Sequence, residues 1–307
     1  MKVILLAVGF VTPRAIIAGA ALLMAPKINV QAQYNYTTIS VPGAVDTYVS
    51  AISGGNIVGE FDTGSGTMTQ GFVYDGIGFN MLNVPGAADT YAFGISGNNI
   101  VGWYDTPGSF SEPFLYDGDN FTTLEVPSAE SASATGISGN EIIGNYVPNE
   151  GGSVESYLYN GINYITLNVP GQITGIDCNN IVGNYRIVGG YAGFVYNGSG
   201  YTTLIVPGAK ITDAIGISGD NIVGEYSING TTFQGFLYNG TSYTTLSVPG
   251  AESTQAFGID GDGIVGTYKT SSGTYEGFLA TPAPEPSTLV LGSFAVGLLS
   301  TFRLARR

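Results

Sequence analysis

Apolar residues along this chain come in short bursts separated by Gly, Asn, Asp, Ser and Pro. One stretch shows the pattern: Ala214–Ser218 reads AIGIS, Asn221–Tyr226 reads NIVGEY, Gly235–Tyr238 reads GFLY and Tyr243–Val248 reads YTTLSV. Each run is rich in β-branched and aromatic residues and predicts a β-strand. Ser218-Gly219-Asp220 and Asn239-Gly240 stand between runs and predict tight turns. Asn-Gly and Asp-Gly recur after the third run as Asp75-Gly76, Asp117-Gly118, Asn160-Gly161 and Asn197-Gly198. Both residues of such a pair tolerate positive φ, which favours a hairpin.

The four-run unit repeats. Val-Pro pairs at Val41-Pro42, Val84-Pro85, Val126-Pro127, Val169-Pro170, Val206-Pro207 and Val248-Pro249 are spaced 43, 42, 43, 37 and 42 residues apart. An Ile-Val-Gly marker travels with them, from Ile57-Val58-Gly59 to Ile264-Val265-Gly266. Four antiparallel strands in about 42 residues is the content of one propeller blade. The expected fold is therefore all-β, a six-bladed β-propeller, with a β-solenoid as the alternative. The ends of the array favour the propeller. Tyr36–Val41 is a fourth strand with no third before it, and Gly277-Phe278-Leu279 is a third strand with no fourth after it. Pairing the N-terminal strand with the last blade would complete the ring and remove exposed sheet edges.

Composition narrows the function classes. The chain has 47 glycines among 307 residues and only 10% charged residues, a balance that suits many turns around apolar strands. Of the nine basic residues, only Arg186, Lys210 and Lys269 lie between Gln33 and Ala280, whereas 22 of the 23 acidic residues lie there. Such a surface repels phosphate backbones, so nucleic acid is not an expected partner. There is no histidine, which removes Ser-His-Asp and Cys-His nucleophile systems and His-ligated metal sites. The single cysteine, Cys178, cannot form an internal disulfide, and nothing near it in sequence would activate its thiol.

Both ends read as addresses. Lys2 and Arg14, the apolar stretch Ala15–Ala25 and the close Val30-Gln31-Ala32 follow the order of a secretory signal peptide cleaved after Ala32. An uncleaved signal anchor is the alternative. At the other end, Pro284-Glu285-Pro286 precedes an apolar segment through Phe302 and the basic Arg303, Arg306 and Arg307. The segment is short for a permanent span. This tail resembles the PEP-CTERM sorting signal of Gram-negative bacteria. The resemblance implies export through the Sec translocon, transient membrane contact through a short hydrophobic helix, recognition by an exosortase, and delivery to the cell surface or an exopolysaccharide matrix. A plain C-terminal membrane anchor is the alternative. The expected organisation is thus 1–32 signal peptide, 33–280 repeat body and 281–307 sorting tail. The repeats themselves resemble the HAF type of extracellular repeat, although Gly, Pro or Ser stands where that pattern begins with His.

Candidate ligand-binding residues come from departures from the repeat. Trp103, the only tryptophan, stands where other units have Glu60, Asn145, Asn184, Glu225 or Thr267. Tyr48 and Tyr91 are expected on the connection after Val-Pro, and Arg186 at the start of a long loop in the fourth unit, whose segment after Val169-Pro170 is short enough to leave a notch. Aromatics beside one arginine can stack on sugar rings; packing between blades is the alternative reading. No catalytic constellation is apparent. Asp46, Asp89, Asp177, Asp213 and Asp260 are candidates for a carboxylate pair that sequence alone does not assemble. Asp260-Gly261-Asp262-Gly263 faintly resembles a calcium loop but occupies a hairpin-turn position. The expectation is a non-enzymatic structural or binding protein of the surface or matrix, with polysaccharide or surface proteins as partners and no cofactor. The alternatives are a carbohydrate-active enzyme using paired carboxylates and a calcium-dependent adhesin.

Overall fold

The computed structural model describes residues 34–64, 68–108 and 110–284. The signal cleavage at Ala32 and the tail residues Glu285, Pro286, Arg303, Arg306 and Arg307 lie outside the described residues. The described residues form 24 strands and are all-β. The first unit holds β2 (Asp46–Ser53), β3 (Asn56–Asp62), β4 (Thr69–Tyr74) and β5 (Phe79–Leu82). The second holds β6 (Asp89–Ser96), β7 (Asn99–Asp105), β8 (Glu112–Tyr116) and β9 (Phe121–Thr123). The third holds β10 (Ala129–Ser138), β11 (Glu141–Pro148), β12 (Glu155–Tyr159) and β13 (Tyr164–Leu167). The fourth holds β14 (Gln172–Asp177), β15 (Asn180–Ile187), β16 (Gly190–Tyr196) and β17 (Tyr201–Leu204). The fifth holds β18 (Ile211–Ser218), β19 (Asn221–Ser227), β20 (Gln234–Tyr238) and β21 (Tyr243–Leu246). The last sheet combines β22 (Ser253–Asp260), β23 (Gly263–Lys269) and β24 (Tyr275–Pro282) with β1 (Tyr34–Ile39).

Within each unit successive strands pair antiparallel, and β1 supplies the outer strand of the last sheet by pairing with β24 from Tyr34↔Pro282 to Ile39↔Gly277. The leading strands of successive units touch in order, β2 to β6, β10, β14, β18 and β22, and β22 touches β2. The chain ends are thereby joined, which a solenoid does not require. One parallel bridge, Tyr191↔Ile211, also links the fourth and fifth sheets.

An aromatic pair organises each sheet. Phe72, Phe114, Tyr157, Phe194, Phe236 and Phe278 on the third strands are fully buried. Each meets an aromatic on its outer strand edge-on: Phe79, Phe121, Tyr164, Tyr201, Tyr243 and, from the N-terminus, Tyr36. Outward of this pair lies a polar clasp. Tyr104 Oη lies 2.8 Å from Glu112 Oε2 and 2.8 Å from Thr123 Oγ1. Tyr226 uses Gln234 and Thr245 in the same way, and Tyr268 uses Glu276 and Thr38. The first unit has Phe61 and Met81 in place of the tyrosine and threonine, and Gln70, at the place of Glu112, accepts instead from Asn83.

Two series of hydrogen bonds tie unit to unit. At the turn between first and second strands, Ser53, Ser96, Ser138 and Asp177 each accept the N–H of Gly97, Gly139, Cys178 and Gly219 respectively, and Asp260 accepts the N–H of Gly54 at 2.7 Å. Asp260-Gly261-Asp262 is thus a hairpin turn, as its position in the unit predicts. At the opposite end, Asp89 accepts the Thr69 N–H at 2.6 Å and Asp46 accepts the Tyr275 N–H at 2.7 Å.

Three local expectations are corrected. The Asp-Gly and Asn-Gly turns are four-residue loops in which only the glycine has positive φ. The acidic or amide side chain acts instead as a cap: Asp75 Oδ1 accepts the N–H groups of Ile77 and Gly78 at 2.8 Å each. The Gly78 and Ile77 donors hold its carboxyl below the usual range. Tyr48 and Tyr91 lie within strands β2 and β6 rather than on a connection. Arg186 does not begin a long loop, because Ile187↔Gly190 closes a tight hairpin through Val188-Gly189, with Gly189 at φ 89°.

Tyr36→Ala removes the ring that meets Phe278 at 5.6 Å and the hydroxyl that accepts the Ser247 N–H. Its expected cost is about 2–3 kcal/mol in urea unfolding, since a half-buried aromatic loses less than a fully buried one. A loss below about 0.5 kcal/mol, the range of an unremarkable surface change, would mean that β1 does not hold the ends together.

Candidate functional site

Every unit has a β-bulge in its first strand, seen as a register shift such as Val49/Ala51 or Ala214/Gly216. Just before the bulge stand Tyr48, Tyr91, Ser133, Gln172, Asp213 and Gln255. Opposite them on the second strands stand Glu60, Trp103, Asn145, Asn184, Glu225 and Thr267. The glycine preceding each of these second-strand residues lies against the carbonyl of the first-strand partner; a Cβ on Gly224 would overlap Asp213 O, and one on Gly59 would overlap Tyr48 O. The backbone of the two columns is therefore fixed by a close approach that only glycine permits, while the side chains are free to differ.

Six members of these columns, Tyr48, Glu60, Asn184, Asp213, Glu225 and Gln255, line a cavity of about 560 Å³ where the leading strands meet. That volume lies in the range of roughly 300–1,000 Å³ common for small-molecule sites. Tyr48, Tyr275, Phe93 and Phe257 supply aromatic surface, and Glu60, Asp213 and Glu225 supply carboxyls beside the amides of Asn184 and Gln255. Beneath it the six leading strands close in through Ala51, Gly94, Gly136, Gly175, Gly216 and Gly258, leaving a space of about 90 Å³. None of Arg186, Lys210 and Lys269 lines the cavity; Lys269 pairs with Glu252 at 3.2 Å.

Burial dominates the electrostatics. It pushes the Glu60 carboxyl up to about 8, against a Ser50 hydroxyl that donates to Oε2 at 3.3 Å. Burial likewise raises Glu225 to about 7, opposed by a hydrogen bond from Gln255 Nε2 and reinforced by the charge of Asp213. Asp213 is raised to about 6 by burial, and its buried Oδ1 has no hydrogen-bond partner. All three are pushed in one direction, toward the protonated form.

The residues singled out from sequence divide. Tyr48 lines this cavity and lies 5.2 Å from Tyr275 ring to ring. Tyr91 and Trp103 stack on each other at 3.9 Å, with Phe93 parallel to Trp103 at 6.4 Å. Trp103 also lines a separate cavity of about 300 Å³ with Ser133, Asn145 and Gln172. Arg186 sits on the exposed hairpin beside Val188 and joins neither. Of the five aspartates considered for a pair, Asp213 alone lines the 560 Å³ cavity; Asp46, Asp89, Asp177 and Asp260 accept backbone N–H groups between units. Sequence reasoning did not join Glu60 and Glu225 to Asp213, although it placed both in the variable column with Trp103. Cys178 is exposed, and Asp177 raises its thiol pKa. Among the described residues, no group of three or more acidic or cysteine side chains is arranged to hold a metal ion, and no helix is long and apolar enough to cross a membrane.

No family model matches the chain, and no curated protein matches it in sequence. Solved β-propellers match it in structure. The β-propeller domain of the trilobed protease from Pyrococcus furiosus, which has an open velcro topology, aligns with a TM-score of 0.51 at 11% identity over 78% of this chain and 86% of that one. Trypanosoma rangeli sialidase in complex with sialic acid aligns with a TM-score of 0.50 at 10% identity, over 87% of this chain and 61% of the sialidase. A lectin from Aleuria aurantia in complex with Fucα1-6GlcNAc aligns at a TM-score of 0.49, 10% identity, over 82% of this chain and 99% of the lectin. At these identities the likeness shows a β-propeller fold.

The raised carboxyls make stability depend on pH. Folded Glu60, Glu225 and Asp213 hold protons that the unfolded chain, near 4.5 and 3.8, has released. Their contribution is complete below the unfolded values and is lost as pH rises through the folded ones. The melting temperature is expected to fall between about pH 5 and 8, and Glu60→Gln to flatten the upper part of that fall, with a gain on the order of 2–3 kcal/mol at pH 8. Identical slopes in both proteins, measured by calorimetry, would exclude Glu60 as the titrating group.

Proposed function

We propose that the repeat body is a six-bladed propeller, exported and sorted by its C-terminal tail to the cell surface or an exopolysaccharide matrix, where its axial cavity binds a saccharide without cleaving it. The observation that carries the binding reading is the cavity itself: aromatic surfaces beside carboxyls and amides, with no basic side chain. A pyranose offers an apolar face for stacking and hydroxyls that bond to carboxyl and amide groups. With no basic side chain to pair with it and Asp213, raised only to about 6, ionised at neutral pH, the carboxylate of a uronic or sialic acid is disfavoured here. Neutral and amine-bearing sugars suit the site.

The non-enzymatic reading rests on the sorting tail, the regular units and the lack of any histidine-based catalytic constellation in the sequence. Hydrolysis by two carboxyls needs environments that push them apart, one protonated as acid and one ionised as base or nucleophile. Burial raises all three here, to about 8 for Glu60, about 7 for Glu225 and about 6 for Asp213, so the product assay below is what separates binding from cleavage. Delivery rests on the Pro284-Glu285-Pro286 tail and its terminal arginines, with the Sec translocon and an exosortase as transient partners.

Two measurements test this. The purified protein is titrated by calorimetry with neutral, amine-bearing and uronic-acid oligosaccharides. Binding of the first or second class without product release is expected, weakened at least about tenfold by Tyr48→Ala, the loss of a stacked ring together with its contact area. Preferential binding of the uronic acids, or release of shortened products, would overturn the reading. Intact mass of the protein from its native host is expected to lack both ends in the surface or matrix fraction. A mass that retains Arg307 in a membrane fraction would replace sorting with anchoring.

A further inference from the structure

Beside the axial cavity lies the smaller one of about 300 Å³, bounded by Trp103, the third unit and Gln172. Its cause is a change in one column. At the place before the bulge, where the first and second units carry Tyr48 and Tyr91, the third carries Ser133, flanked by Ser131 and Ala132. The small side chains leave open the space beside the indole. Trp103 is covered on one side by Tyr91 at 3.9 Å. It is only partly buried, so part of its surface is left to the notch.

No residue lines both cavities, but their linings are neighbours at two points. Phe93 lines the axial cavity and lies parallel to Trp103, which lines the notch. Asn184 lines the axial cavity and is the cross-strand partner of Gln172, which edges the notch. Aromatic and amide surfaces therefore run from one to the other. Asn145, at the notch, is already committed: its Nδ2 donates to Ile173 O at 2.8 Å, and its Oδ1 accepts from Ser156 and the Ile173 N–H. It makes a rigid wall, leaving the exposed Gln172 amide as the adaptable contact.

We propose that the axial cavity and the Trp103 notch are two subsites of one groove that binds a linear glycan, one sugar unit in the axial cavity and a following unit against the indole. This deepens the saccharide reading above and rests on it. A single sugar can use the axial cavity alone, whereas a longer chain gains the stacking surface of Trp103.

The probes are cello-oligosaccharides and glucosamine oligosaccharides of one to four units, titrated into the whole protein. Trp103 is the only tryptophan, so its fluorescence reports occupation of the notch directly. Affinity is expected to rise about three- to tenfold between the shortest chain that binds and the tetramer, the worth of one further aromatic stack, with the indole signal changing only for the longer chains. Ser133→Tyr, which fills the notch with the residue found at that place in the first two units, is expected to abolish the gain with length and leave short-chain affinity unchanged. Trp103→Ala is expected to do the same by calorimetry. Urea midpoints of both variants establish that they are folded. Short chains binding with no gain in length, or both folded variants weakening every length equally, would overturn the two-subsite inference and leave the saccharide reading standing. No binding at any length by either class of probe would overturn both.

Discussion

The structure depends on one closure, the pairing of β1 with β24. Until Tyr36 meets Phe278, the last sheet lacks its outer strand and the clasp of Tyr268 and Glu276 lacks Thr38. The contact between β22 and β2 and the bond from Asp260 to Gly54 complete the same circuit on the inside. These are contacts between residues more than two hundred positions apart in sequence. Their entropy of closure is shared across the array because every other junction is already local. What distinguishes the last sheet is only where its fourth strand comes from; its aromatic pair is the one used in the other five.

That regularity explains where variation is tolerated. The buried third-strand aromatic, the Ile-Val of the second strand and the glycine against the bulge leave no freedom, because each is packed on several sides or forced by a backbone approach. The side chains flanking the bulge share a backbone setting but no common packing partner, so their identities differ from unit to unit. Tyr, Ser, Gln and Asp share one column, and Glu, Trp, Asn and Thr share the other. The scaffold thus holds twelve variable positions on a fixed frame, and six of them, Tyr48, Glu60, Asn184, Asp213, Glu225 and Gln255, set the chemistry of the axial cavity.

Strand order, unit length and ring closure were legible in the chain because each depends on short-range pattern: period-two apolar runs, turn residues and a displaced fourth strand at each end. The column containing Glu60, Trp103 and Glu225 was also legible as a place of departure from the repeat. Its meeting with Asp213 and Tyr48 was not, since that needs the register across the bulge and the way six leading strands converge. Tyr48 was assigned to a connection because its strand begins at Asp46, before any apolar alternation becomes visible. The long loop expected at Arg186 is instead the tightest of the second-to-third connections, closed through Val188-Gly189 and followed by Tyr191, whose N–H donates to Lys210 O. Asp75 and Asn160 were read for their φ tolerance, and their side-chain oxygens turn out to be what closes the loops.

The acids at the axis carry the last step. A carboxyl raised by burial makes the folded state less stable at neutral pH than an amide of the same shape would. Other units show that the frame accepts such residues, with Asn145 and Asn184 in the column of Glu60 and Glu225, and Gln255 in that of Asp213. Packing therefore does not demand acids there. The remaining asymmetry is in the groups around them, since no protein group hydrogen-bonds Asp213 Oδ1 and no basic side chain lines the cavity. A buried acceptor left unsatisfied is costly unless a donor arrives from outside. Hydroxyl and amine hydrogens of a sugar are such donors, and the aromatic rings beside the carboxyls are the surface that would bring them in. The raised carboxyls and the half-buried rings beside them are thus two halves of one proposal, in which a bound saccharide would offset the energetic cost at the axis.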